Sequence, residues 1–294
     1  MDHFYGLGVA IVTPFRKDSS IDFKALGRLI EHQVTGGVNY IVALGTTGEA
    51  VTLSADEKEA VVRFITEQVA GCVPVIVGIG GNNTHQIIRQ IRVFPFKGIS
   101  GILSVAPYYN KPTQEGLYRH YESIAAASPV PVILYNVPGR TGVNISADTI
   151  IRLAKNIDNI IAVKEASGNM AQIMTIARDK PEDFLMISGD DALTIPMMAC
   201  GGAGVISVAA NAWPADFSRL VTAASTGDYG KAMKIHFRYM HLIELLFADG
   251  NPGGIKAALA EMGLIENYLR LPLVSVRKKV QMQIRETMAK LVKE

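Results

Sequence analysis

Residues 160–169 read Ile-Ile-Ala-Val-Lys-Glu-Ala-Ser-Gly-Asn: four apolar residues, then a polar turn containing a glycine. A short continuous apolar run bounded by turn residues reads as a strand buried on both faces of a parallel sheet. Lys164 ends that run. A lysine there either snorkels past the strand end to solvent or stays buried, and burial disfavours its charged form. A neutral amine facing a pocket is the nucleophile that Schiff-base chemistry with a carbonyl substrate needs. The segment alone leaves both readings open.

Working outward, runs of the same kind recur. Strand candidates are residues 7–13, 40–44, 73–77, 101–105, 132–135, 160–164, 184–188 and 204–208. Between them lie amphipathic segments with helix-start signals. Asp22 precedes a stripe of Phe23, Leu26, Leu29 and Ile30, and Asn83 precedes Ile87, Ile88 and Ile91. Ser54-Ala55-Asp56-Glu57 has the form of a capping box. Eight strand–helix alternations fit a (β/α)8 TIM barrel in number and size. A doubly wound sheet is the competing α/β arrangement, and the count favours the barrel. Beyond Thr226 the strands stop, and residues 231–248, 254–262 and 274–291 read as helices. The expected organisation is a catalytic barrel over residues 1–226 with a C-terminal helical extension over 227–294.

Composition narrows the function classes. Among 294 residues, 29 basic and 27 acidic side chains nearly balance without long runs of one sign, which argues against a nucleic-acid footprint. No stretch of about 18 uncharged apolar residues marks a membrane span. The opening Met1-Asp2-His3-Phe4 lacks the pattern of a signal peptide. Cys72 and Cys200 form no disulfide framework or metal-ligand cluster. The six histidines are scattered, so neither a metal site nor a Ser-His-Asp triad is expected. The expected setting is the cytoplasm.

In a barrel, function sits where strands end and the following loops begin. Those ends carry Gly45-Thr46-Thr47-Gly48-Glu49, Pro107-Tyr108-Tyr109-Asn110, a turn from Tyr135 to Gly142 containing Arg140, then Lys164, and Ser188-Gly189-Asp190-Asp191. Gly45–Gly48 offers successive N–H groups and two hydroxyls able to curl around a small anion such as a carboxylate. It reads equally as an ordinary strand-to-helix turn. Tyr135 shares parity with Ile133, as Lys164 does with Ala162 and Ile160, so both end residues can point into the barrel mouth. A phenol beside an amine supplies proton transfer for imine chemistry; alternatively Tyr135 caps the core with a wet hydroxyl. Arg140 can pair with a substrate carboxylate or stay solvated. Tyr108 and Tyr109 suit either a catalytic or an interface role.

Five of these segments, Gly45–Glu49, PYYNKPTQEG (107–116), YNVPGRTG (135–142), KEASGN (164–169) and SGDD (188–191), taken in order, resemble the pyruvate-dependent class I aldolases. Within that group the chain is most similar to the dihydrodipicolinate synthase family. The resemblance spans essentially the whole chain. It implies a lyase of lysine and diaminopimelate biosynthesis that needs no cofactor or metal. Lys164 matches the lysine that forms an imine with pyruvate, Tyr135 the proton-shuttling tyrosine, and Thr46 the threonine linking it to a second tyrosine. Tyr109 matches that second tyrosine, which the family contributes across a subunit interface. Thr46 and Thr47 match the pyruvate carboxylate cradle, and Arg140 the residue receiving the carboxylate of L-aspartate 4-semialdehyde. Gly189 and Ile206 match positions lining the pyruvate pocket. The implied assembly is a homotetramer, a dimer of dimers.

Sugar-acid aldolases and N-acetylneuraminate lyase of the same superfamily share the lysine and tyrosine, and Arg140 argues against them. A silent binding member is the third reading, opposed by intact Lys164, Tyr135, Thr46 and Tyr109. One departure concerns regulation. Lysine-sensitive relatives carry an acidic group at the position of Gln86 and imidazoles at Ala55 and Lys58, while Asn82 and Tyr108 are retained here. A bound lysine would lose a carboxylate partner and meet a like charge, so weak or absent feedback inhibition is expected. A second departure lies in the segment from Asn251 to Lys256, where relatives often carry another proline; only a local loop effect is expected.

Overall fold

The computed structural model describes residues 4–291; Met1–His3 and Val292–Glu294, and with them the ends of the two expected domains and the opening tripeptide, lie outside the described residues. Its strands are β1 (Gly6–Ala10), β2 (Tyr40–Ala43), β3 (Val75–Gly78), β4 (Gly101–Val105), β5 (Val132–Asn136), β6 (Ile160–Glu165), β7 (Leu185–Ser188) and β8 (Gly204–Ser207). The barrel helices are α1 (Phe23–Thr35), α2 (Ala55–Val69), α3 (Thr84–Val93), α4 (Gln114–Ala127), α5 (Pro138–Thr141), α6 (Ala147–Asn156), α7 (Met170–Asp179), α8 (Thr194–Ala199) and α9 (Pro214–Ser225). Then follow α10 (Tyr229–Phe247), α11 (Gly253–Glu261) and α12 (Lys278–Leu291).

All eight strands pair in parallel in sequence order, and β1 closes on β8 through Leu7↔Val205 and Gly8↔Ile206. The sheet is therefore a TIM barrel and not a doubly wound sheet. Local chemistry sets its helix starts. The Asp22 carboxylate accepts from Ala25 N at 3.0 Å, Ser54 and Glu57 complete their capping box, and Asn83 accepts from Gln86 N at 3.2 Å. Each such cap satisfies a donor that the helix itself leaves unpaired.

Alternation along the strands divides the apolar side chains into two cores. Ala10, Val42, Ile76, Leu103, Ile133, Ala162 and Ile187 fill the barrel, while Val9, Ile41, Val77, Ile102, Leu134, Val163 and Met186 pack outward under the helices. The parity expected for β6 holds only in part. Val132 pairs with Ile160 but Ile133 pairs with Ala162, so a bulge at Ile161 turns Ile160 outward while Ile161 and Ala162 both face the interior. From Ala162 onward alternation resumes, and Lys164 points inward.

Several boundaries differ from the sequence reading. β1 ends at Ala10 because Val12 N bonds the Asn211 side chain at 3.0 Å and the Thr13 hydroxyl donates to Gly48 O at 2.7 Å, drawing this segment out of the ladder. β3 starts only after Pro74, which has no N–H to donate. α12 starts at Lys278 rather than 274, since Arg277 N is held by the Asp249 carboxylate at 2.8 Å and the preceding residues run without helix. β6 extends one residue past Lys164. The three C-terminal helices pack on one another, and α10 also lies against α8 and α9. This brings the segment between α10 and α11 over the barrel mouth. Among the described residues no helix is long and apolar enough to cross a membrane, and Cys72 and Cys200 are free thiols.

Candidate active site

The C-terminal ends of the strands enclose a cavity of about 410 Å³. β2 delivers Thr46 and Thr47 to its wall, β5 Tyr135, β6 Lys164 and the loop after β7 Gly189, while Arg140 of α5 stands exposed at the rim. Ile243, Glu244 and Phe247 of α10, with Asn251 from the loop after it, complete the lining.

Lys164 is only 5% exposed, so it does not snorkel to solvent. Its Nζ lies 4.4 Å from the centroid of the Tyr135 ring, itself buried at 7% exposure. The next residue, Glu165, points the other way and is wholly buried. Its carboxylate accepts from Ser167 N at 2.7 Å, Asn136 Nδ2 at 2.9 Å and Gln172 Nε2 at 3.2 Å. Strand alternation thus places the amine in the cavity and a fully satisfied carboxylate behind the wall. Gly189 leaves space for the amine's stem. Any Cβ there would meet Ala166 Cβ at 2.7 Å and Lys164 Cε at 3.0 Å. Beyond it, the buried Asp191 accepts from Val208 N at 3.0 Å and Ala209 N at 2.9 Å, joining the loop after β7 to that after β8. Burial raises the pKa of Asp191 above the ordinary carboxylate range.

The loop after β2 is a tight turn between two residues of left-handed backbone, Leu44 (φ 57°) and Glu49 (φ 52°). Gly48 N donates to Gly45 O and Glu49 N to Thr46 O, both at 3.1 Å. Because the turn uses those two N–H groups internally, the anion cradle read from the sequence narrows to Thr46 and Thr47. Gly78 lets the turn sit low, since a Cβ there would stand 2.2 Å from Leu44 O.

Two residues named from the sequence do not line this cavity. Ile206 is 1% exposed within the barrel core beside Gly8, away from the cavity wall. Tyr109 is 88% exposed with left-handed backbone (φ 74°), outside the cavity of its own chain. Tyr108 lines a second cavity, of about 140 Å³, with Lys58 and Gln90. That cavity shares Thr46 and Tyr135 with the larger one.

A further constellation was missed. Glu49 and Lys256 form an ion pair with both side chains wholly buried. Lys256 also donates to Tyr268 O at 3.0 Å and lies 4.2 Å from the centroid of the Phe15 ring, and Arg270 N donates to Glu49 Oε2 at 3.1 Å. Burial lowers the Lys256 pKa to about 8 against the opposing pull of Glu49. Removing one partner from such a pair costs about 3–5 kcal/mol. Nearby, Asn251 Nδ2 donates to Thr47 Oγ1 at 2.9 Å. The signal was present: Lys256 sits in Gly-Gly-Ile-Lys-Ala-Ala-Leu-Ala, as costly a place for a lysine as the end of β6. Among the described residues no group of acidic, histidine and cysteine side chains could hold a metal ion.

A buried amine, an adjacent phenol, a hydroxyl cradle and a rim guanidinium make a site suited to a small keto acid and a second carboxylate-bearing substrate. The model of the dihydrodipicolinate synthetase family matches residues 3–291. The chain belongs to that family. A relative in Parabacteroides distasonis, named 4-hydroxy-tetrahydrodipicolinate synthase, is 51% identical over 97% of this chain and 96% of its own. One of the same name in Chlorobium chlorochromatii is 50% identical over 92% of this chain and 91% of its own. The crystal structure of dihydrodipicolinate synthase from Aquifex aeolicus superposes with a TM-score of 0.94 at 43% identity, covering 98% of each chain. Membership of this family accounts for the closed barrel and its helical extension together.

Proposed function

We propose that this chain is a 4-hydroxy-tetrahydrodipicolinate synthase, a lyase that condenses pyruvate with L-aspartate 4-semialdehyde on the way to diaminopimelate and lysine. The observation that carries the reading is the burial of Lys164 in the cavity wall against the Tyr135 ring. The Lys164 amine adds to the pyruvate ketone and water leaves, giving an imine. Tyr135 moves the protons, and Thr46 relays them towards Tyr109 of a neighbouring subunit. Thr46 and Thr47 hold the pyruvate carboxylate, with Gly189 shaping the pocket around it and Ile206 packing in the layer beneath. Loss of a methyl proton gives the enamine, whose carbon attacks the aldehyde of a semialdehyde held through its carboxylate by Arg140. The substrate's amine then displaces Lys164 as the ring closes, releasing (4S)-4-hydroxy-2,3,4,5-tetrahydro-(2S)-dipicolinate and free enzyme.

The exposed aromatic and aliphatic side chains of Tyr109, Tyr108 and Val51 support assembly into a homotetramer, in which Tyr109 reaches a second site. We further assign residues 1–226 to the catalytic barrel, 227–294 to the helical unit, and the protein to the cytoplasm.

The test is a coupled assay with pyruvate plus aspartate semialdehyde, run beside N-acetylneuraminate, with borohydride trapping of pyruvate. Condensation together with one reduced adduct on Lys164 is the expected result. Faster cleavage of N-acetylneuraminate, or a folded protein that takes up no adduct, overturns the reading.

A further inference from the structure

The carboxylate cradle is held from above by residues remote in sequence. Its two threonines lie between Leu44 and Glu49, both in left-handed backbone that non-glycine residues rarely adopt. Such a conformation persists only where its surroundings enforce it. At one end of the turn, the Glu49 side chain is wholly buried and meets Lys256 of α11, with Arg270 N on its other oxygen. In the middle, Asn251 Nδ2 occupies an acceptor position of the Thr47 hydroxyl at 2.9 Å. A hydroxyl whose oxygen already accepts is left to donate its proton elsewhere, and Thr47 lines the cavity.

We propose that Lys256 and Asn251 are positioning residues for the first substrate: acting through Glu49 and Thr47, they fix the turn so that its hydroxyls meet a keto-acid carboxylate. This rests on the assignment of Thr46 and Thr47 to pyruvate. Neither residue reacts with substrate. Lys256 is wholly buried behind the turn, and Asn251 acts on the threonine. Because Arg140 stands on α5, after β5 and on a different loop from the turn after β2, the second substrate's carboxylate is held independently of this contact.

The experiment compares full-length wild type with Lys256→Met, with the double variant Glu49→Gln/Lys256→Met, and with Asn251→Ala. It measures KM for each substrate, kcat and the thermal midpoint. Displacement of positioning groups by a fraction of an ångström to 1 Å costs up to about a hundredfold, so a rise of about tenfold in pyruvate KM is expected in each variant, with the semialdehyde KM within about twofold of wild type. The double variant, which carries no orphaned buried charge, regains the thermal midpoint lost in Lys256→Met yet keeps the raised pyruvate KM. A folded double variant or Asn251→Ala with wild-type pyruvate KM overturns the proposal, as does an equal rise in both KM values. Wild-type protein that neither condenses the two substrates nor traps pyruvate on Lys164 refutes instead the functional reading beneath it.

Discussion

Gly189 stands against the stem of Lys164, so that a Cβ built on it would lie 3.0 Å from Lys164 Cε and 3.1 Å from Cγ. The loop after β7 therefore sets the path of the amine as surely as β6 does. Gly189→Ala is expected to displace the Nζ and lower kcat/KM by about ten- to a hundredfold, with slower pyruvate trapping. Wild-type trapping rates in this variant would show that the stem has room to move.

Arg140 is exposed at the rim while Lys164 is buried at the floor. Arg140→Ala should raise the semialdehyde KM by about tenfold or more, the loss of a charge-assisted pair of roughly 1.5–3 kcal/mol, and leave trapping of pyruvate intact. Steady-state kinetics in each substrate separate the two effects.

Gly254 of α11 lies where a Cβ would approach Leu246 O of α10 to 2.2 Å. Gly254→Ala has to part these helices, at a cost of about 1–3 kcal/mol. Calorimetry should show a lower unfolding temperature, larger than that caused by alanine at Gly139, where no atom lies within 4 Å of the added Cβ.

Glu57 caps α2 and grips Arg270 by two bonds, 2.5 and 2.7 Å, which pull its pKa down to about 2. The folded value lies below the unfolded one of about 4.3, so the stabilisation is complete above that pH and is lost as pH falls towards 2. With partial exposure screening the pair, about 1–2 kcal/mol is expected. Glu57→Gln should be less stable than wild type at pH 7, with the gap closing between pH 4 and 2 in denaturant titrations.

Lys58 lines the small cavity beside Tyr108, in keeping with poor accommodation of a cationic effector. Lysine at about 1 mM, which corresponds to roughly 4 kcal/mol of binding, should leave most of the condensation rate intact. Half-inhibition below that concentration would show that Gln86 and Lys58 do not decide the response.

The residues legible in the sequence were those governed by local chemistry. Apolar runs marked the eight strands because both faces of each are buried, and Asp22, Ser54 and Asn83 cap the helices that their side chains announce. Lys164, Tyr135, Thr46, Thr47 and Gly189 share a cavity because strand ends share a face of the barrel. What escaped depended on distant partners. The bulge at Ile161 follows from how β5 meets β6, and no pattern within β6 reveals it. Ile206 lies one layer below the cavity, a matter of strand stagger around the barrel. The apolar run around Lys256 marks a costly lysine, but its pairing with Glu49, on another element, is set only by the fold.

Thr47 and Asn251 are separated by 204 positions, and Lys256 and Arg270 come later still. During synthesis all eight strands therefore leave the ribosome before the groups that complete the turn after β2 have been made. A polypeptide released early, after its last strand, would possess Lys164 and Tyr135 yet lack the groups that pair with Glu49 and hold Thr47. Translation must therefore pass Arg270 before the mouth of the barrel takes its working shape.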